Sequence, residues 1–192
     1  MKIFKIVVTG PYNAGKTTLI KTICSEALTT DRKVSRDDLV KSTTTVALDF
    51  GLIRIGNHMV RLFGTPGQSR FQFMWRTLSI GMDGYLFMVD SSDPMSLNDA
   101  LHMYMFFRSM HPTTLHVIAA NKYDKEKKLS LDVIRSALKV PDMIPIHPTI
   151  AYNKDSVINV LNALIRLIQN SSPIVIKHSN PAKIFRFIYG AR

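Results

Sequence analysis

Eight residues near the N-terminus, Gly10-Pro11-Tyr12-Asn13-Ala14-Gly15-Lys16-Thr17, combine residue types and a spacing suited to phosphate chemistry. They fit G-x-x-x-x-G-K-[ST] and follow an apolar run, Ile3, Phe4, Ile6, Val7 and Val8, that reads as a buried strand. A helical pattern of apolar residues, Leu19, Ile20, Ile23 and Ala27, comes next. Glycines let the backbone curl until successive N–H groups face one anion, and a helix N-terminus adds partial positive charge. In such a loop Asn13, Ala14, Gly15 and Thr18 lie along the phosphates, Lys16 reaches the outer ones, and the Thr17 hydroxyl holds Mg²⁺. The expectation is a nucleoside triphosphate site.

A second tetrapeptide, Asn121-Lys122-Tyr123-Asp124, follows the apolar run Leu115, Val117, Ile118, Ala119 and Ala120. It therefore falls at the C-terminal end of a strand, where open α/β sheets bind their ligands. The Asp124 carboxylate can accept from both N1–H and the exocyclic amine of guanine, a donor pair that adenine lacks. A site built on such a pair rejects the wrong ligand by about 10⁴ or more. GTP is expected over ATP.

With these two motifs the chain resembles a small Ras-like GTPase along that family's whole length. It is most similar to the bacterial and archaeal branch that includes the gliding-polarity GTPase MglA and the conservon GTPases. Two further segments carry the likeness, Ser42 to Gly51 and Phe63-Gly64-Thr65-Pro66-Gly67-Gln68. The resemblance implies that Thr45 is the switch threonine that completes the Mg²⁺ shell, with Thr43 and Thr44 as neighbouring alternatives. It implies that Gly67 senses the γ-phosphate and that Gln68 positions the attacking water. Thr149-Ile150-Ala151-Tyr152 falls where the family closes over guanine, through a backbone amide matched here by Ala151. The family also implies an effector and a GTPase-activating partner.

Phosphoryl transfer to water depends on positioning and on neutralising charge at the phosphate oxygens. Lys16, Mg²⁺ and the loop amides supply that charge, Thr45 completes the metal shell, and Gln68 orients the nucleophile. No evident arginine finger accompanies them. Arg36, Lys41 and Arg70 flank the switch segments, where solvated charge is the plainer reading. Slow hydrolysis, accelerated by a partner, is expected; a nucleotide-binding adaptor with negligible hydrolysis is the alternative. A small-molecule kinase would leave Asn121 to Asp124 unexplained.

Two residues depart from the wider family. Gly64 stands where most relatives carry an aspartate that holds Mg²⁺ through water, so either weaker Mg²⁺ affinity or a shift of that role to another carboxylate, such as Asp49 or Asp90, is expected. Tyr12 replaces a glycine, and its ring obstructs an incoming arginine unless it points outward. Pro66 stiffens the turn before Gly67.

The remaining chain must position these groups. Val46 to Ile55 and His58 to Phe63 flank Gly56-Asn57 and read as an antiparallel hairpin. Gln68 to Ser79 reads as a mixed helix, Tyr85 to Val89 as a strand ending at Asp90, and Met95 to Met110 as a helix. A short helix over Ser130 to Leu138 and a last strand over Met143 to Ile146 follow. A helix with the stripe Val157, Leu161, Leu164 and Ile168 closes the pattern. The sum is an α/β, three-layer P-loop fold: a six-stranded, mostly parallel sheet with one antiparallel edge and about five helices. The polar stretch from Thr29 to Thr44 is expected to be a functional loop.

Composition bounds the rest. With 192 residues, 46% of them hydrophobic, the chain suits one domain, read as residues 1–170, followed by an extension at 171–192. No apolar run is long enough to span a bilayer. Lys2 and the final Gly190-Ala191-Arg192 carry no lipidation signal, and no signal peptide is visible. The single cysteine, Cys24, reads as a small core residue in a reducing cytoplasm. The net charge is +11, to which Lys177, Lys183, Arg186 and Arg192 contribute in an extension free of acids. Those charges, interleaved with Ile184, Phe185, Phe187, Ile188 and Tyr189, suit contact with anionic membrane or a partner, or packing back on the domain. No RNA-binding motif supports a nucleic-acid role.

Overall fold

The central strands are the chain's continuous apolar runs, and alternate residues of each serve opposite faces of one sheet. In the computed structural model, which describes residues 1–24, 28–29 (backbone) and 49–171, β1 spans Lys2–Thr9, β4 His58–Gly64, β5 Gly84–Asp90 and β6 His116–Asn121. β2 (Leu28–Thr29), β3 (Asp49–Ile55) and β7 (Ile146–Pro148) complete the sheet, in the order β2-β3-β4-β1-β5-β6-β7. Pairings within β4-β1-β5-β6-β7 are parallel, and β2-β3 and β3-β4 are antiparallel. The six expected strands are thus present, and the two-residue β2 extends the antiparallel edge. Gly56, at φ 56°, makes the tight turn that sets Ile55 opposite His58.

Five helices cover the sheet: α1 Lys16–Ile23, α2 Gln72–Ser79, α3 Leu97–Met110, α4 Leu131–Leu138 and α5 Lys154–Asn170. Single 3-10 turns, Ser69–Phe71 and Pro94–Ser96, lead into α2 and α3. One face of the sheet (Phe4, Ile6, Val8, Leu86, Met88, Val117) packs with Leu19 and Ile20 of α1 and Val157, Leu161 and Leu164 of α5. The other (Val7, Tyr85, Phe87, Val89, Ile118) packs with Trp75 of α2, Tyr104 and Phe107 of α3, and Ile134 and Leu138 of α4. This is the expected three-layer arrangement, and β5, buried at all seven residues, is its axis.

The last strand lies further along than Met143 to Ile146 suggests. Met143 is 79% exposed, and Pro141 to Ile144 form a turn in which the Ile144 amide donates to the Pro141 carbonyl at 2.9 Å. The Arg135 guanidinium caps both carbonyls of that turn, at 2.8 and 3.2 Å, so pairing begins only at Ile146. Cys24 is buried just beyond the end of α1, as its reading as a core residue expected, whereas Ala27 lies outside the described residues. Among the described residues no helix is long and apolar enough to cross a membrane.

Candidate functional site

Thr9, Gly64, Asp90 and Asn121 end β1, β4, β5 and β6 on one edge of the sheet, and the motif residues gather there. The loop after β1 turns through three left-handed residues, Gly10 (φ 142°), Asn13 (φ 63°) and Gly15 (φ 99°). Gly10 and Gly15 admit no side chain: a Cβ on Gly10 would collide with the Met88 carbonyl, and one on Gly15 with Asn121 Nδ2. Gly15 is then the N-cap of α1, so the helix's free N–H groups open toward the loop.

Lys16 is only 8% exposed, and its Nζ donates to the Gly10 and Pro11 carbonyls at 2.9 and 2.6 Å. Burial lowers its pKa to about 8, against the opposing pull of the Asp49 carboxylate. The Thr17 hydroxyl donates to Asp49 Oδ2 at 2.5 Å. Ala14 is buried, while Asn13 and Thr18 are exposed.

Asn121, 2% exposed, ties two loops together. Its Nδ2 donates to the Ala14 carbonyl and its Oδ1 accepts from the Ala151 amide, both at 2.8 Å. Its own carbonyl accepts from the amide and hydroxyl of Ser91, at 2.9 and 2.6 Å. The Ala151 turn is held in place because Asn153 caps α5 by accepting from the Ser156 amide, and the Ser156 hydroxyl accepts from the Ile150 amide, each at 2.9 Å.

Asn13, Gly15, Thr18, Asn121, Lys122, Asp124, Ala151 and Tyr152 line one cavity of about 220 Å³, with Lys125 as the one lining residue the motifs did not indicate. Lys122, in the left-handed region at φ 59°, pairs with Asp90 at 2.5 Å. Burial raises the Asp90 pKa, but the bonds from Lys122 and Ser92 outweigh it and the net shift is downward. The Tyr152 hydroxyl donates to Asp124 at 2.6 Å and holds that carboxyl below its ordinary pKa. The Ala151 amide, expected to close over a base, is engaged by Asn121, so a base would have to share it.

The segment from Gly64 to Gln68 lies against the phosphate loop. The Thr65 amide donates to the Val8 carbonyl at 2.9 Å, and the Thr65 and Thr9 hydroxyls meet at 2.8 Å. A side chain on Gly67 would collide with the backbone of Pro11 and Tyr12. The Trp75 indole donates to the Pro66 carbonyl at 2.6 Å. Gln68 lines a separate cavity of about 440 Å³ with Tyr12, Trp75, Asp99 and His102. Tyr12, 72% exposed, lines that cavity beside Gly67 and Gln68. Thr45, with Thr43, Thr44, Arg36 and Lys41, lies outside the described residues, as does the extension beyond 171.

Sequence patterns missed Trp75, Ser91 and the Thr9–Thr65 pair. Ser91 and Thr9 meet partners 30 and 56 positions away through strand packing, and Trp75 meets Pro66 through the placement of α2.

The sequence model of the ADP-ribosylation factor family matches residues 1–170. The chain is 26% identical over 134 residues to ADP-ribosylation factor-related protein 1 of Bos taurus, covering 69% of this chain and 65% of that protein. It is 28% identical over 148 residues to human ADP-ribosylation factor-like protein 4C, covering 73% and 71% respectively. An uncharacterized protein of Methanocaldococcus jannaschii is 33% identical over 95 residues, half of this chain and 56% of that protein. The chain thus spans 56% of the length of the archaeal relative and 65% of the bovine one. Among solved structures, the Arl6 small GTPase of Trypanosoma brucei, with a bound nucleotide analogue, has a similar fold. Its TM-score is 0.66 at 20% identity, covering 88% of this chain and 99% of that one.

Proposed function

The chain belongs to the ADP-ribosylation factor family, and from that premise we propose that it is a switch that binds GTP and GDP with Mg²⁺ and slowly hydrolyses GTP. The observation that carries this reading is the 220 Å³ cavity, where Asn13, Gly15 and Thr18 of the phosphate loop meet Asn121, Lys122, Asp124, Ala151 and Tyr152. Two motifs that lie more than a hundred residues apart converge on one cleft, at the sheet edge where nucleotides bind.

Asp124 reads guanine through its two carboxylate acceptors, Lys122 and Tyr152 flank the base, and the Asn121–Ala151 bond forms the back of the pocket. The helix N-terminus and the loop amides of Ala14, Gly15, Lys16 and Thr17 take the phosphates. Phosphate oxygens replace the Gly10 and Pro11 carbonyls as acceptors for Lys16, and their charge raises its pKa again. Thr17 and Thr45, both oxygen donors, would hold Mg²⁺, which would neutralise charge on the phosphates. Gly67 donates its amide near the γ-phosphate, and Gln68 swings from the Tyr12 cavity to orient water.

The Gly64 position favours a second reading, an adaptor that binds nucleotide with negligible hydrolysis, and single-turnover hydrolysis with Mg²⁺ separates the two. An effector and an activating partner, a kinship within the family to the MglA-like branch, a cytoplasmic location and contact of the domain's 171–192 extension with anionic membrane belong to this proposal. The MglA-like kinship is supported by the segments Ser42 to Gly51 and Phe63 to Gln68, the membrane contact by the charge of the extension. The test of the base assignment is Asp124→Asn, which is expected to exchange preference for GTP for preference for the xanthine nucleotide. An Asp124→Asn protein that keeps full GTP affinity rejects guanine recognition.

A further inference from the structure

Gly64 removes a carboxylate from the end of β4, and the strand beside it supplies one. Asp49 opens β3 and lies directly opposite Gly64 in the antiparallel register. A Cβ placed on Gly64 would stand 2.9 Å from Asp49 Cβ and 3.2 Å from Asp49 Oδ2. A side chain at 64 would therefore project into the volume that the Asp49 carboxylate fills. The two positions share one space, and the chain uses one carboxylate for it.

That carboxylate is aimed at the phosphate loop. Asp49 is 9% exposed, and its Oδ2 accepts from the Thr17 hydroxyl at 2.5 Å. It also lies close enough to the Lys16 ammonium to oppose the fall in that group's pKa. A carboxylate removed from water requires compensation, and one hydroxyl and a neighbouring ammonium leave it acceptor capacity for more donors. The other carboxylate in the neighbourhood, Asp90, is already held by Lys122, at 2.5 Å, and by the amide and hydroxyl of Ser92. Mg²⁺ keeps several of its waters and is held by one or two carboxylates and substrate phosphates. Those waters need acceptors beside the Thr17 hydroxyl, and Asp49 is placed to be one.

We propose that Asp49 on β3 supplies the carboxylate that accepts from the water shell of the nucleotide-bound Mg²⁺, in the position that Gly64 leaves without a side chain on β4. This rests on the reading of the chain as a Mg²⁺-dependent guanine-nucleotide switch. Asp49 is a positioning residue: it acts on the ion through Thr17 and through water.

The experiment measures release of a fluorescent GDP analogue from the full chain, in EDTA and across a Mg²⁺ titration, with thermal unfolding as a check on folding. Wild-type release is expected to slow as Mg²⁺ rises. In Asp49→Asn the Mg²⁺ midpoint is expected to rise about 10–100-fold, as for other outer-shell partners, while release in EDTA stays within about threefold. The double variant Asp49→Gly, Gly64→Asp moves the carboxylate back to β4, and is expected to return the midpoint to within a few-fold of wild type. Gly64→Asp alone crowds two carboxylates into one space and is expected to lower the unfolding temperature without tightening Mg²⁺. An unchanged midpoint in Asp49→Asn, or an equal loss of affinity with and without Mg²⁺, overturns the proposal. So does a folded double variant that leaves the midpoint raised. A wild-type chain that binds no GDP in EDTA or Mg²⁺ overturns the nucleotide reading itself, and this inference with it.

Discussion

At the Asn121 end of the cleft the polar groups bond across the chain, whereas at the Lys16 end the charged group bonds within its own loop. Asn121 reaches a carbonyl 107 positions away and an amide 30 positions away. Lys16 reaches carbonyls five and six positions back. Long-range bonds between buried groups fix the shape of the base pocket before any ligand arrives. The short-range bonds of Lys16 are exchangeable, because phosphate oxygens can take the place of two carbonyls without moving a strand. On the proposed reading, the cleft joins a rigid reader of the base to a phosphate end that can change partners.

The largest effect should come from breaking the rigid end. Asn121→Ala leaves the Ala14 carbonyl and the Ala151 amide buried without their partner, at about 1–3 kcal/mol for each group. Loss of nucleotide binding and a fall of about 5–20 °C in melting temperature are expected by calorimetry and thermal unfolding. An unchanged melting temperature would mean that the two loops hold their places without Asn121.

At the exchangeable end the two measurements should move in opposite directions. Lys16→Met is expected to weaken GTP binding by about 10–100-fold, as for loss of a charge-assisted bond. The same change should stabilise the nucleotide-free protein, because a shift from 10.5 to about 8 marks a buried ammonium held at a cost of up to about 3 kcal/mol. The pH dependence has a definite sign. Between pH 8 and 10.5 the unfolded chain binds the Lys16 proton and the folded chain has released it, so this residue makes stability rise with pH. The cost is present in full below pH 8 and gone above 10.5. Subtracting the unfolding profile of Lys16→Met from that of wild type should isolate the rise, and a flat difference would mean that the ammonium is better solvated than its two carbonyl contacts indicate.

Gln68→Leu sharpens the comparison within the phosphate end. GTP affinity should stay within a few-fold while single-turnover hydrolysis slows by about tenfold or more, since leucine cannot orient water. Equal rates would assign the nucleophile to another group. The smallest effect is expected at the rim of the base pocket. Tyr152→Phe frees one Asp124 oxygen from the phenol and should tighten GDP binding by about two- to threefold. Weaker binding would show that the hydroxyl touches the base instead.

How much of this was legible in the sequence depended on distance along the chain. Gly10 to Thr17 and Asn121 to Asp124 are local patterns, and their place at strand ends follows from the apolar runs before them. The partners of Asn121 do not follow in the same way, because nothing local pairs residue 121 with residues 14 and 151. The juxtaposition of Asp49 and Gly64 was not legible for a similar reason: the sequence offered Asp49 and Asp90 equally, and only the register of β3 on β4 and the bonds that hold Asp90 distinguish them. Met143 to Ile146 read as a strand from its apolar content, while the Arg135 bonds to Pro141 and Ile144 decided for a turn. Trp75 is the chain's one tryptophan, but its bond to Pro66 depends on how α2 lies under the turn.

The Asn121 bridge also sets an order in time. On the ribosome the phosphate loop emerges early, but its Ala14 carbonyl has no partner until β6 has been made, and the second half of the bridge waits for Ala151. Contacts this far apart in sequence close late, because the loop between them must be ordered first. A nascent chain that ends before residue 151 therefore carries every residue of the phosphate motif without a finished cleft. On the proposed nucleotide reading, stabilisation by the ligand begins only once synthesis has passed residue 151, just ahead of the last helix.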